Sequence, residues 1–207
     1  GSNQFAYRRF HGAQDSILFV LLSWLLALAI GKKIGVDYSD VSGAFDRVAT
    51  FMLLEKLGRS IIPLCIVRVI ADWLVGRRGE VIVQGCSSDS FPLSKITYQG
   101  SVWGPPLWNL FFADAPLAVR KCGFQEIIYA DDLNAFRCFL NSVSNEFVLS
   151  QLRRCQFELH EWGAANSVTF DAEKESFHVI SRSDFHGTSF KLLGVQFDLQ
   201  LTMYEAC

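Results

Sequence analysis

The sequence predicts an α+β fold in one domain, an antiparallel sheet with helices packed on one face. Short strand-like runs alternate with segments of helical spacing, and the last strands come as hairpins. Half of the residues (50%) are hydrophobic and 19% are charged, so 207 residues suffice for a sizeable core and a disordered chain is excluded. No repeat, low-complexity stretch or Pro/Ser-rich linker divides the chain.

The elements follow in order. Residues 16–30 carry no charge over 15 positions and are flanked by Arg8-Arg9 and Gly31-Lys32-Lys33. That is short of the roughly 18–20 residues of a membrane span, so a buried helix is expected rather than an anchor or a signal-peptide core. Residues 34–38 read as a strand running into Asp40. Ala44, Phe45, Val48, Phe51, Met52 and Leu54 have helical spacing across 42–57, with Gly58 placed to end the helix. A second helix is expected over 61–75 with Pro63 in its first turn. Strands over 80–83 and near 91–93 flank a polar loop, and Gln99-Gly100-Ser101 marks a turn before a helix over 107–119. Two apolar runs then meet at Asp131-Asp132 as a tight hairpin. A long amphipathic helix over 144–165 follows, and closing strands over 168–170, 177–180 and 191–197 complete the sheet.

Charge and cysteine usage narrow the class. A net charge of −2 gives no basic footprint for a self-sufficient nucleic-acid binder. The six cysteines (Cys65, Cys86, Cys122, Cys138, Cys155, Cys207) form no C-x-x-C pair and no metal-ligand spacing with the four histidines. They read as reduced, mostly buried thiols of an intracellular protein of cytoplasm and nucleus.

The most informative residues are Asp131 and Asp132. Side chains alternate faces along a strand, and a tight turn interrupts that alternation, so neighbouring acids can be presented together only at the tip. Like charges there repel unless a cation sits between them, and Mg²⁺ held by carboxylates, waters and phosphates is the natural occupant. An ordinary acidic turn is the plainer alternative. Asp40 lies where strand period changes to helix period, at the C-terminal end of its strand, a common place for ligand sites in sheet proteins. Asp37, three residues earlier, faces the other way and is a poor co-ligand. If Asp40 neighbours the Asp131 tip, two divalent ions about 3.5–4 Å apart could be held for phosphoryl transfer. Spacing alone leaves a nuclease, a polymerase and a cyclase open.

Three segments carry a resemblance. Asp40-Val-Ser-Gly-Ala-Phe-Asp46-Arg-Val, Gln99-Gly-Ser-Val-Trp-Gly-Pro-Pro-Leu-Trp-Asn109 and Tyr129-Ala-Asp-Asp132 resemble motifs A, B and C of reverse transcriptases, in order, with the flavour of non-LTR (LINE-type) retrotransposons. Asn3-Gln-Phe-Ala-Tyr-Arg-Arg9 is similar to the fingers block before the palm, Lys174 to the motif D lysine, and Phe190-Lys-Leu-Leu-Gly-Val-Gln-Phe to the motif E primer grip.

The resemblance implies a polymerase palm, a ferredoxin-like antiparallel sheet backed by helices, with a fragment of the fingers. On this reading 1–33 is partial fingers and connecting helix, 34–185 palm, and 186–207 the primer-grip hairpin and start of a missing thumb. It implies Asp40 and Asp131 as metal ligands, with Asp132 and the Val41 carbonyl beside them and two Mg²⁺ ions (or Mn²⁺) as cofactor. Phe45 would be the steric gate favouring deoxynucleotides, Gln99 and Gly100 would line the nascent base pair, and Arg8 would belong to the nucleotide site. Lys174 would protonate the leaving pyrophosphate, and Leu193-Gly194 would grip the primer.

The expected partners are an RNA template, a DNA primer, dNTPs and the fingers and thumb segments of a parent polyprotein, with no membrane partner. Tyr98 and Ala6 depart from the family's usual Pro and Gly. Structural readings stand beside these roles: Phe45, Trp103 and Trp108 as core residues, Lys174 as a solvated surface charge, Arg8 as a structural donor, and Asp46 as an acid favoured by its helix dipole. Two other functions remain open at this point, a catalytically inactive truncated remnant of such an element and a small membrane-anchored protein.

Overall fold

The computed structural model describes residues 3–93 and 100–202, without the side chains of Phe45 and Asp46. In chain order the elements are α1 (Ala13–Ala29), β1 (Lys32–Ser39), α2 (Ala44–Arg47), α3 (Thr50–Gly58), α4 (Leu64–Leu74), β2 (Arg78–Gly79), β3 (Ile82–Val83), β4 (Cys86–Ser87), β5 (Phe91–Pro92) and α5 (Gly104–Phe111). A 3₁₀ turn (Phe112–Asp114) then leads to α6 (Ala115–Lys121), β6 (Gln125–Tyr129), β7 (Asp132–Leu140), α7 (Asn145–Ala165), β8 (Ser176–Ile180), β9 (Phe190–Leu192) and β10 (Val195–Phe197). They group into two compact units. The first takes Gly1–Ser42, Asp114–Ala165 and Thr169–Cys207, and the second Gly43–Ala113 and Asn166–Val168.

The first unit is built on a four-stranded antiparallel sheet of order β6-β7-β1-β8. Alternation along β1 assigns its faces. Ile34 and Val36 join Val20, Trp24 and Leu28 of α1 in one core cluster with Phe136, Phe190 and Phe197. Trp24 is fully buried and meets the rings of Phe136, Phe190 and Phe197 edge-on at 5.8–6.1 Å. The residue between, Gly35, faces α7: a Cβ there would lie 2.7 Å from Val148 Cγ1 and 3.4 Å from Leu152 Cδ1. The sheet is therefore covered by helices on both faces, not one. The reason is that β1 alternates between two buried sides, its residues from Lys33 to Asp37 all being buried.

The uncharged run folds as α1 with Ser16, Val20, Trp24, Ala27 and Leu28 turned into the core. Among the described residues no helix is long and apolar enough to cross a membrane. The opposite stripe, Leu18, Leu22, Leu26 and Ile30, is more than half exposed. On α7 the buried face is Val148, Leu152, Cys155, Leu159 and Gly163, at the three- and four-residue spacing of one helix side.

The second unit holds α2 to α5 and two small hairpins, β2 with β5 and β3 with β4. The single helix expected over 42–57 is two helices. Val48 and Ala49 adopt extended backbone between them and are both buried. The helix expected over 107–119 is likewise interrupted by the 3₁₀ turn. Pro116 at the second position of α6 lacks an N–H and its ring excludes the carbonyl four residues back. The strand expected over 80–83 shortens to β3, whose hairpin turns at Gln84-Gly85 with φ of 50° and 83°. Residues 168–170 supply one bridge, Val41 to Phe170, in place of a strand.

The cysteines also differ from expectation. All five described ones are free thiols, but only Cys155 is buried and Cys65, Cys86 and Cys138 are exposed. Cys65 lies on α4, Cys86 on β4 and Cys138 near the end of β7. Trp108 is a core residue stacked on Phe112 at 5.1 Å, whereas Trp103 is exposed.

Candidate active site

Register brings the acids together. β1 pairs with β7 from Lys32–Leu140 to Ser39–Leu133, so the next step sets Asp40 beside Asp132. On the other side β1 pairs with β8 from Ile34–Ile180 to Tyr38–Ser176; beyond it the turn over residues 172–174 intervenes, and the Asp171 N–H donates to the Asp40 carbonyl at 2.9 Å. From that turn Lys174 Nζ lies 2.5 Å from Asp40 Oδ2 and 3.6 Å from Asp171 Oδ2. Asp40 is buried, Asp131 and Asp132 are half-buried, and Lys174 is largely exposed.

The hairpin carrying the other acids is tight. Tyr129 pairs with Asp132, leaving Ala130 and Asp131 as the two-residue loop, and Ala130 has φ 58°, a conformation that favours glycine. A buried side chain holds it there. Gln4 Oε1 accepts from the Ala130 N–H and Gln4 Nε2 donates to the Ala130 carbonyl, both at 3.1 Å. Gln4 is itself fixed beside β6 by Phe5 N–H to Ile128 O (2.8 Å) and Ile128 N–H to Asn3 O (2.9 Å). Arg8 donates from Nη1 to the Gln4 carbonyl at 2.9 Å, the structural role open to it.

The electrostatics follow from crowding. Burial first, then Asp131 and Asp40, push the Asp132 carboxyl up to about 6. Burial also raises Asp131, with Asp40 adding to the rise and Lys174 opposing it. Tyr38 donates its hydroxyl to Asp132 Oδ1 at 3.2 Å, and burial together with the acids raises its own phenol strongly. Tyr7 is raised by burial and by Asp131. Asp37 lies apart from this group, fully buried, raised well above the usual range by burial, with Ser39 Oγ at 3.4 Å as its contact. Among the described residues no three His, Cys, Asp or Glu side chains stand ready-made around a metal position. The carboxylates that crowd one another here are Asp40, Asp131 and Asp132, and the Lys174 ammonium sits on Asp40.

The other expected residues are placed as follows. Val41 is buried and bridges to Phe170. Leu193 and Gly194 form the two-residue turn of the β9–β10 hairpin, with φ of 48° and 88°. Gly100 is exposed with φ 83° and belongs to the second unit. Gln99 and the Phe45 side chain lie outside what is described. Gln4, Tyr38 and Tyr7 were not foreseen. Tyr38 had a signal, since a residue two before Asp40 on a strand shares its face.

A strand-end acid, a two-residue acidic hairpin and a lysine thus meet at one end of an antiparallel sheet. The chain belongs to the reverse transcriptase (RNA-dependent DNA polymerase) family, whose family model matches residues 1–197. Its relatives include the RNA-directed DNA polymerase from the mobile element jockey of Drosophila funebris, 33% identical over 135 residues (63% of this chain, 15% of that protein). The counterpart from Drosophila melanogaster is 26% identical over 215 aligned residues (96% of this chain, 23% of that protein). The chain thus spans less than a quarter of the length of either relative.

Similar solved structures include an apo telomerase of Candida tropicalis truncated of its C-terminal domain, at a TM-score of 0.65 and 13% identity, covering 91% of this chain and 39% of that one. The telomerase of Candida albicans in complex with a fragment of telomeric RNA has a TM-score of 0.65 and 12% identity, covering 93% and 34%. That likeness is one of fold.

Proposed function

We propose that this chain is the palm-centred core of an RNA-directed DNA polymerase of a jockey-like, non-LTR element, adding dNTPs to a primer 3′-hydroxyl on an RNA template. The observation that carries this reading is the meeting of Asp40, Asp132 and Lys174 at one end of the sheet, with Asp131 at the adjoining hairpin tip. By their resemblance to the family's motifs A, C and D, Asp40, Asp131 and Asp132 would be the catalytic acids and Lys174 the motif D lysine.

The donor set fits divalent metal, because hard carboxylate oxygens are crowded until their own acidity suffers and a cation already sits on one of them. Asp40 and Asp131 would hold it, with Asp132 and the Val41 carbonyl alongside. When bound, two Mg²⁺ ions lower the pKa of the attacking hydroxyl and neutralise charge on the departing pyrophosphate. The chain's own residues do the rest. The primer 3′-hydroxyl gives up its proton to water as its oxygen bonds to the α-phosphorus, the bond to pyrophosphate breaks, and Lys174 Nζ supplies a proton to the leaving group and is reprotonated from water. Asp40 keeps that ammonium protonated until then, its hydrogen bond raising the Lys174 pKa.

Phe45 would stand under the sugar and exclude a ribose hydroxyl, Gln99 and Gly100 would line the new base pair, and Leu193-Gly194 would seat the primer end.

The test is primer extension on an RNA template with Mg²⁺. DNA synthesis from dNTPs and little from rNTPs is expected, and Phe45→Ala should narrow that preference. Absence of extension by a version including the flanking polymerase segments would overturn the reading.

A further inference from the structure

The turn that presents Lys174 is gripped from behind by one side chain on a different element. His160, on α7, stacks its ring on Phe170 at 5.1 Å between centroids and 4° between planes. The same ring donates from Nε2 to Glu175 Oε1 at 2.7 Å, and the Glu175 side chain is only 6% exposed. Phe170 and Glu175 bracket residues 171–174. Within that span the Lys174 and Glu175 N–H groups both donate to the Asp171 carbonyl, at 2.9 and 3.1 Å. The bracket also reaches the acids, for Phe170 bridges to Val41 and the Asp171 N–H donates to the Asp40 carbonyl at 2.9 Å. One imidazole therefore contacts both ends of the lysine turn, and the turn is tied to Asp40 by the Asp171 N–H and by Lys174 Nζ. A residue that only filled space would need neither the parallel stack nor the aimed nitrogen.

We infer that His160 is a positioning residue for Lys174, fixing through Phe170 and Glu175 the turn from which the ammonium reaches Asp40. This rests on the role proposed above for Lys174, since a proton donor misplaced by about 1 Å loses up to about 10²-fold in rate. The stack sets the direction of the turn's entry, and the Glu175 bond sets its exit. His160 side-chain exposure of 41% leaves room to substitute it without opening the core.

Two measurements on the protein decide it. Amide exchange at Lys174 and Glu175 should quicken about tenfold in His160→Ala, with partial return in His160→Phe, which keeps the stack, and in His160→Gln, which keeps a donor. Single-turnover dNTP incorporation should slow about tenfold in His160→Ala with the dNTP concentration dependence little changed. In the Lys174→Ala background the same substitution should add nothing, because both changes act through one group. Unchanged amide exchange, or rate losses that multiply in the double variant, would overturn the inference. If Lys174→Ala leaves the rate intact, the proton-donor reading fails, and amide exchange alone still decides whether His160 holds the turn.

Discussion

Asp132 is the residue whose chemistry depends most on its neighbours. Burial, Asp131 and Asp40 raise its folded pKa from 3.8 to about 6. An acid whose pKa is raised on folding binds its proton more tightly in the folded state. The contribution of Asp132 to the stability of the metal-free protein is therefore greatest below about pH 4, falls as pH rises towards 6, and levels off above. Divalent cation binds the ionised form and restores what crowding removes, so the rise in Tm on adding Mg²⁺ should be larger at pH 8 than at pH 5. Thermal melts at the two pH values check this, and equal Mg²⁺ effects would contradict it. At this scale the sequence was readable for Asp40 and Asp131, since strand-end and hairpin-tip positions follow from periodicity. It was not readable for Gln4, whose amide reaches across from residue 4 to residue 130, because a contact at that separation leaves no local pattern.

At the scale of elements, the acidic hairpin is held in shape by a distant side chain. Gln4→Ala leaves the buried Ala130 N–H and C=O without these partners, a loss of about 1–3 kcal/mol, and it also frees the loop that carries Asp131. Denaturant melts should show that loss of stability; a change under about 0.5 kcal/mol would mean the loop keeps itself. β1 makes a second prediction. Gly35→Ala places a methyl 2.7 Å from Val148 Cγ1 and should cost about 1–3 kcal/mol, since α7 must shift to admit it.

Helix and strand existence was legible from spacing for α1, α4, α7, β1, β6 and β7. What failed was continuity, at Val48-Ala49 and before Pro116. At the first the backbone turns extended, and at the second a proline ends the helix, while the apolar spacing runs on through both. The two-faced burial of β1 was equally hidden, because a glycine at position 35 gives no sign of the helix packed against it.

For the whole molecule, the α1 stripe of Leu18, Leu22, Leu26 and Ile30 stays exposed beside a well-packed inner face. An apolar strip of this kind favours association. Leu22→Glu combined with Leu26→Lys should raise the fraction of monomer measured by light scattering without lowering Tm by more than about 0.5 kcal/mol equivalent, as surface changes rarely do. The family was legible because Asp40, Gln99-Gly100, Asp131-Asp132 and Lys174 fall in order; register then set Asp40 beside Asp132, and a turn brought the Lys174 side chain to it. The measurement that bears most directly on the central claim is the rate of Mg²⁺-dependent primer extension on RNA by the wild type and by Asp131→Asn. DNA synthesis by the wild type with at least about a hundredfold loss in the variant is the predicted result. Equal extension by both would contradict it.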